Sequence, residues 1–239
     1  NAAARFRPRA ARSLAWAREA AADADLVVLP ELWHVGAFDV DSAREYAEPL
    51  DGPLVSALAA VARDTGTWLH GGSFSEVAAD GRHFNTSVLF APDGSLAATY
   101  RKIHLFGFTG GETTLMSAGD ALVVTDTPWG RTGLATCYDL RFPALFAALA
   151  ARGAQVIALP SAFTLATGKD HWDVLCRARA IETQTYVAAA AQTGQFRQGK
   201  EMRATFGHSL IADPWGLVVA KASDGPGVTG ARVDLDLLN

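Results

Sequence analysis

Cysteine is scarce. Cys137 and Cys176 are the only two in 239 residues, too few and too far apart for a disulfide framework or a CxxC zinc or redox motif. That usage fits a reducing compartment, so a cytoplasmic protein is expected. An excess of charge of one sign is lacking too: 21 Lys and Arg stand against 25 Asp and Glu, a net charge of −4. No overall positive field exists to attract a polyanion, which argues against nucleic acid as the main partner. No run approaches the ~20 continuous apolar residues that span a bilayer, so no membrane partner is expected. The six histidines, His34, His70, His83, His104, His171 and His208, show no HxH or HExxH spacing, which marks neither a metal site nor a Cys–His pair. No Gly/Ser-rich or charged linker interrupts the chain, and it reads as one domain over residues 1–239.

What is present suits a folded protein: 49% hydrophobic residues against 19% charged supply a substantial core. The first 18 residues carry five arginines, Arg5, Arg7, Arg9, Arg12 and Arg18, with no acid before Glu19. Leu14, Ala17 and Ala21 share one helical face, so this is read as an amphipathic helix with Arg12 and Arg18 on its wet side rather than as a transit peptide. The chain opens on Asn1 rather than Met, which leaves room for a start upstream. Asp25 to Pro30 is a short β-branched run stopped by proline and predicts a buried strand. Leu54 to Thr65 has helical spacing and ends at Gly66; a short strand follows at Thr67 to His70.

Three hairpins are predicted from turns that combine a fixed proline φ with a permissive glycine. Pro92-Asp93-Gly94 separates Asn85–Phe90 from Leu96–Tyr100, and Pro128-Trp129-Gly130 separates Leu122–Thr125 from Thr132–Cys137. Asp213-Pro214-Trp215-Gly216 separates Gly207–Ala212 from Leu217–Ala220. Helical stretches are predicted at Phe142–Ala151 and Trp172–Thr183. Ala24 to Glu31 echoes Ala154 to Ser161, each preceded by a helix. Helices, strands and hairpins mixed in this way predict an α/β sandwich with helix-covered sheets.

Cys137 is the clearest candidate for chemistry, since it ends an apolar strand and precedes a helix. A strand-to-helix turn presents a side chain at the sheet end, and a helix N-terminus favours a thiolate. Cys176, inside the later helix, reads as a buried small hydrophobe. A thiol that attacks a carbonyl needs a base. Glu31 follows the strand ending at Pro30 and Lys102 follows the strand ending at Tyr100, so both are placed at strand ends toward one rim. A carboxylate there takes the thiol proton and an ammonium stabilises the oxyanion. Each charge taken alone is better read as a solvated charge or a surface ion pair; their conjunction makes the case.

With Leu29-Pro30-Glu31, Tyr100-Arg101-Lys102 and Cys137-Tyr138-Asp139-Leu140-Arg141-Phe142 in this order, the chain resembles the nitrilase superfamily of carbon-nitrogen hydrolases. The resemblance continues through Pro160-Ser161-Ala162-Phe163, Thr167-Gly168, His171-Trp172, Arg177 to Gln184, Gly207-His208-Ser209 and Asp213 to Gly216. The segments after Cys137 look most like the omega-amidase and deaminated glutathione amidase branch.

The resemblance implies a four-layer αββα sandwich and a homo-oligomer, homodimer or higher. It implies no cofactor and no metal. The implied reaction is hydrolysis of a small carboxylate-bearing amide through a cysteine thioester, with release of ammonia. Cys137 is implied as nucleophile, Glu31 as general base and proton donor, and Lys102 as oxyanion stabiliser. Glu112 is implied as a second glutamate that positions them, its alternative being an exposed loop acid. The backbone N–H of Tyr138 would join Lys102 at the oxyanion. Arg141 would hold the substrate carboxylate, its alternative being an ion pair with Asp139 or a helix-surface role. Phe163 and Thr167 would line the same pocket, while His171, Arg177, Arg179 and Glu182 read as structural. Loops at Gly107–Thr114 and Gln192–Arg203 are expected to set selectivity. The family opens with a strand before its first helix, and Asn1 to Arg12 contains none. Hydrolysis of N-carbamoyl compounds or nitriles, and an inactive small-carboxylate-binding protein, are the competing readings.

Overall fold

The arginine-rich start is a helix, as its spacing predicts. In the computed structural model, which describes residues 2–107, 111–198 and 201–238 with backbone alone at 2–7, 197, 198 and 238, helix α1 spans Ala2–Ala21. Ala17 and Ala21 are buried on it, while Arg12 and Arg18 are exposed. Arg18 lies 3.8 Å from Asp64. The side chains of Arg5 and Arg7 lie outside the described residues.

The chain divides into two compact units, Asn1–Ala121 and Leu122–Asn239. The first contains strand β1 (Leu26–Val28), helices α2 (Val40–Glu45) and α3 (Pro53–Thr65), and strands β2 (Trp68–Val77), β3 (His83–Phe90) and β4 (Leu96–Arg101). They form one sheet in the order β1-β2-β3-β4. The β1–β2 pair is parallel, with Val27 opposite Leu69; the other two pairs are antiparallel. Leu58 and Val61 of α3 pack with Ala17, Val27, Leu69 and Val88 into the core of this unit. Helix α3 ends where predicted, at Gly66 in the left-handed region.

The second unit contains β5 (Val124–Thr127), β6 (Gly130–Leu134), α4 (Pro143–Ala151), β7 (Val156–Ser161), α5 (Leu165–Thr183) and β8 (Tyr186–Ala191). It continues through β9 (Thr193–Gln198), β10 (Glu201–Phe206), β11 (Leu210–Ala212) and β12 (Val218–Lys221). Six strands form a sheet in the order β12-β11-β8-β7-β6-β5, with β9 and β10 paired apart from it. Strands β6, β7 and β8 are mutually parallel, and every residue of β7 is buried, as expected for a parallel strand at the centre of a sheet. The α/β class expected from the alternation of elements is the one adopted.

Several expectations need correction. Thr127 pairs directly with Gly130, so the Pro128-Trp129 turn has two residues and β6 begins earlier than predicted. Strand β6 also stops at Leu134 rather than running to Cys137: the backbone stays extended through Thr136, and Cys137, with φ +47°, leaves the conformation of a strand. Gln192–Arg203 is not a loop: most of it is the β9–β10 hairpin, with residues 199 and 200 outside the described set. Of Gly107–Thr114, residues 108–110 lie outside the description and Gly111–Thr114 forms a 3₁₀ turn. Helix α5 begins at Leu165, seven residues before the predicted Trp172.

Candidate active site

In the first unit the sheet is bent to receive Glu31. The amide of Leu29 still bonds to the carbonyl of His70 at 2.9 Å, continuing the β1–β2 ladder, and the chain then turns. Strand β2 breaks register between His70 and Ser73 at that point. Gly72 adopts φ +68° there, and a Cβ on it would run into the carbonyl oxygen of Pro30. The position therefore requires glycine for both conformation and space. Ser73 Oγ accepts the amide of Leu32 at 3.1 Å, and Trp33 donates its indole N–H to the carbonyl of Gly71 at 2.8 Å. The turn carrying Glu31 is thus fastened to the bulge beneath it.

Lys102 directly follows β4, its amide bonded to the carbonyl of Asn85 at 2.9 Å as an extension of the hairpin ladder. Its ammonium lies 2.6 Å from Glu31 Oε1 and 2.7 Å from Glu112 Oε2. The three side chains are at most 7% exposed. Glu31 and Lys102, placed by their strand ends at one rim, are in contact. Glu112 is not an exposed loop acid: the 3₁₀ turn buries it, and Oε2 also accepts the amide of Phe106 at 2.8 Å. Two carboxylates and one ammonium leave one negative charge in excess, which additional N–H donors must stabilise in so dry a place.

The sequence reading did not single out Asn85 as part of this cluster. Its side-chain amide nitrogen donates to Glu31 Oε1 at 2.9 Å and to Glu112 Oε1. The available signal was an asparagine, a residue depleted from strands, within an otherwise apolar and β-branched run.

Two fully buried histidines flank this region, His34 in the turn after Glu31 and His70 in β2. Burial, helped by the positive charge of Arg9, pushes the His34 pKa down to about 3. Burial pushes that of His70 down to about 4, so both rings are neutral at pH 7. His70 Nδ1 accepts the amide of Gly72 at 3.2 Å.

In the second unit, Cys137 begins a 3₁₀ turn, Cys137–Arg141, which stands between β6 and α4. Its positive φ is uncommon for a residue with a side chain and is tolerated where surrounding bonds fix the turn. The buried carboxylate of Asp139 supplies one, accepting the amide of Thr136 at 2.9 Å. Cys137 is 6% exposed, and the amide of Ala162, just past β7, points at Sγ from 3.5 Å. An N–H donor aimed at sulfur favours its anionic form. Cys176 is wholly buried in α5, where desolvation raises its pKa well above the usual value, as suits an inert core thiol.

The guanidinium of Arg141 stands 5.1 Å from the centre of the Phe163 ring and 5.8 Å from that of Tyr138. One of its nitrogens is 3.3 Å from His171 Nδ1. The Asp139 carboxylate, the alternative partner for Arg141, is engaged with the Thr136 amide. Phe163 is buried against Trp172, ring centres 5.0 Å apart. Thr167 takes part in capping α5, its hydroxyl 3.0 Å from that of Thr164. Arg179 donates to the carbonyl of Leu140 at 3.0 Å and to Glu182 at 2.7 Å, and Arg177 to the carbonyl of Gly216 at 2.7 Å. These are bonds that hold elements together.

Comparison with known proteins agrees. Residues 3–239 match the carbon-nitrogen hydrolase family. The chain is 44% identical over 233 residues to deaminated glutathione amidase of Bos taurus, covering 92% of this chain and 70% of that one. It is 45% identical over 225 residues to 2-oxoglutaramate amidase of Paenarthrobacter nicotinovorans, covering 90% and 74%. Among solved structures, Saccharomyces cerevisiae Nit3, a member of the nitrilase superfamily, superposes with a TM-score of 0.87 at 32% identity, covering 98% of this chain and 86% of its own. A mutant amidase from Nesterenkonia sp. AN1, with the acetamide moiety of fluoroacetamide added covalently at its active-site cysteine, gives a TM-score of 0.80 at 26% identity, covering 92% and 83%. With sequence and fold alike over nearly its whole length, the chain belongs to the carbon-nitrogen hydrolase family.

Proposed function

We propose that this protein is a cysteine-dependent amidase that hydrolyses the terminal carboxamide of a small carboxylate-bearing amide. The enzyme class follows from the family and from relatives named as amidases. The assignment of roles to residues is our reading. It rests above all on the buried contact of Glu31 with Lys102 at 2.6 Å, an acid and a cation withdrawn from water with a second carboxylate on the same ammonium. Such a cluster is costly as architecture and useful as acid-base machinery.

In this reading Glu31 takes the proton of Cys137, and Sγ attacks the carboxamide carbon. Negative charge moves onto the carbonyl oxygen, where Lys102 and the backbone N–H of Tyr138 stabilise it. As the tetrahedral intermediate collapses, the C–N bond breaks and Glu31 returns its proton to the departing nitrogen, so ammonia leaves and a thioester remains. Glu31 then takes a proton from water and hydroxide adds to the thioester carbon; as the C–S bond breaks, Glu31 returns that proton to Sγ, which releases the acid and restores the thiol. Glu112 holds Lys102. Arg141 binds the substrate carboxylate through its planar fork, with Phe163 and Thr167 lining the acyl site. All 239 residues act as one domain in a homo-oligomer, and a reducing cytoplasm keeps the thiol free. The small linear amides named for the relatives, 2-oxoglutaramate and deaminated glutathione, are the substrates to try first.

The test is ammonia release from a panel containing both amides, with Cys137→Ala in parallel. Release by the native chain, none by the variant, and a protein mass increased by the amide minus ammonia on rapid quenching are expected. Carbon dioxide from an N-carbamoyl compound, or turnover of a nitrile in preference to its amide, would redirect the assignment within the family. A folded native chain inert toward all of them would leave the binding-protein reading.

A further inference from the structure

We propose that Asn85 is a positioning residue which holds the Glu31 and Glu112 carboxylates in place on Lys102 and favours the ionised form of Glu31. The inference rests on the reading of that cluster given above. Its basis is a match of numbers. An asparagine amide nitrogen carries two hydrogens, and here each finds a different carboxylate: one bond goes to Glu31 Oε1 at 2.9 Å, the other to Glu112 Oε1. Those carboxylates come from segments 54 residues before and 27 residues after Asn85. Lys102 joins the same two groups from the other side, so the cluster closes as a ring of four side chains.

The orientation of the amide is informative. Asn85 is completely buried, and its Oδ1 has no hydrogen-bond partner. Turning the amide over would direct an oxygen at two carboxylates, so their charge fixes the observed orientation although the acceptor goes unmet. An apolar residue of similar volume would avoid the unmet acceptor, and a strand interior ordinarily favours one. What such a residue lacks is a pair of donors for the negative charge that Lys102 alone leaves unbalanced. Position reinforces the point, because the backbone carbonyl of Asn85 accepts the amide of Lys102 at 2.9 Å. The same residue therefore sets both the backbone that carries the cation and the donors that face the anions.

The sign of the effect follows. Hydrogen bonds to a carboxylate lower its pKa, and their removal raises it. In Asn85→Leu the acid limb of the kcat/KM profile should move upward by about one pH unit, roughly a tenfold loss of kcat/KM at pH values below both limbs. Asn85→Asp, which keeps the shape but exchanges donors for a third carboxyl, should move it further. The same variants, carrying glutamate labelled with ¹³C at the side-chain carboxyl, report on the cluster without turnover. Glu31→Gln identifies the Glu31 signal, whose midpoint is expected to rise in Asn85→Leu. If that variant does not fold, Asn85→Ser, which retains one donor, serves in the comparison. A folded variant with an unchanged Glu31 midpoint overturns the proposal, even if its activity falls. If the native chain releases no ammonia from any amide, the amidase reading fails, and the carboxyl titrations still decide the role of Asn85.

Discussion

The carboxylate-binding role proposed for Arg141 can be tested apart from the chemistry proposed for Cys137. The Arg141 guanidinium lies against the face of Phe163, 5.1 Å from the ring centre, and beside His171. A cation held on an aromatic face keeps its charge while losing freedom, which suits an anion-binding role. Arg141→Met should raise KM for a carboxylate-bearing amide by about ten- to a hundredfold, the loss of one or two charge-assisted hydrogen bonds. KM for a neutral amide of the same length should barely change, and steady-state kinetics on the two amides checks this. Equal effects on both would mean that Arg141 supports the Cys137 turn instead. The contact of Glu31 with Lys102 and the place of Cys137 in the turn between β6 and α4 were legible in the sequence, because each of these residues follows a short strand whose apolar pattern is visible. Asn85 was not, since a strand asparagine declares its purpose only when its partners, far away in the chain, are known.

Among the elements, legibility followed local chemistry. The β3–β4 and β11–β12 hairpins carry their own turns, and α3 its own stop. Strand β8, by contrast, reads Tyr-Val-Ala-Ala-Ala-Ala; alanine has little intrinsic preference for a strand, and only its place between β7 and β11 makes it one. The first turns of α5 were concealed by Gly168, where a Cβ would collide with Phe206 of β10. The turn after β1 and strand β2 also carry a pH dependence. His34 and His70 are neutral when folded, with pKa values of about 3 and about 4, and take up protons near 6.5 when unfolded. Their contribution to stability is complete above pH 6.5 and declines as pH falls. From pH 6.5 to about 4 each histidine costs about 1.4 kcal/mol per pH unit, and below that His34 continues alone toward pH 3. Denaturant unfolding across this range should show the slope, and His34→Phe should flatten it by one histidine's share. An unchanged slope would show that His34 already binds a proton in the folded protein.

For the whole molecule, the chain bears a modest charge of −4 and large apolar side chains at its surface. Among the described residues Trp215 is 88% exposed, and Leu217, Val174 and Ile181 are each more than half exposed. No helix of the described residues is long and apolar enough to cross a membrane. Association of copies is the expected way to cover such side chains. Light scattering should give a mass that is a multiple of 25.2 kDa, and a value at 25.2 kDa itself would overturn the homo-oligomer reading. The β3–β4 hairpin has a practical side. Asn85 and Lys102 stand at its open end, and the Pro92-Asp93-Gly94 turn closes the other. Asp93 is exposed there, and about five residues of strand, roughly 17 Å, intervene. A dye or surface tether attached at Asp93 would therefore report on the enzyme, or immobilise it, while leaving the Lys102 cluster undisturbed.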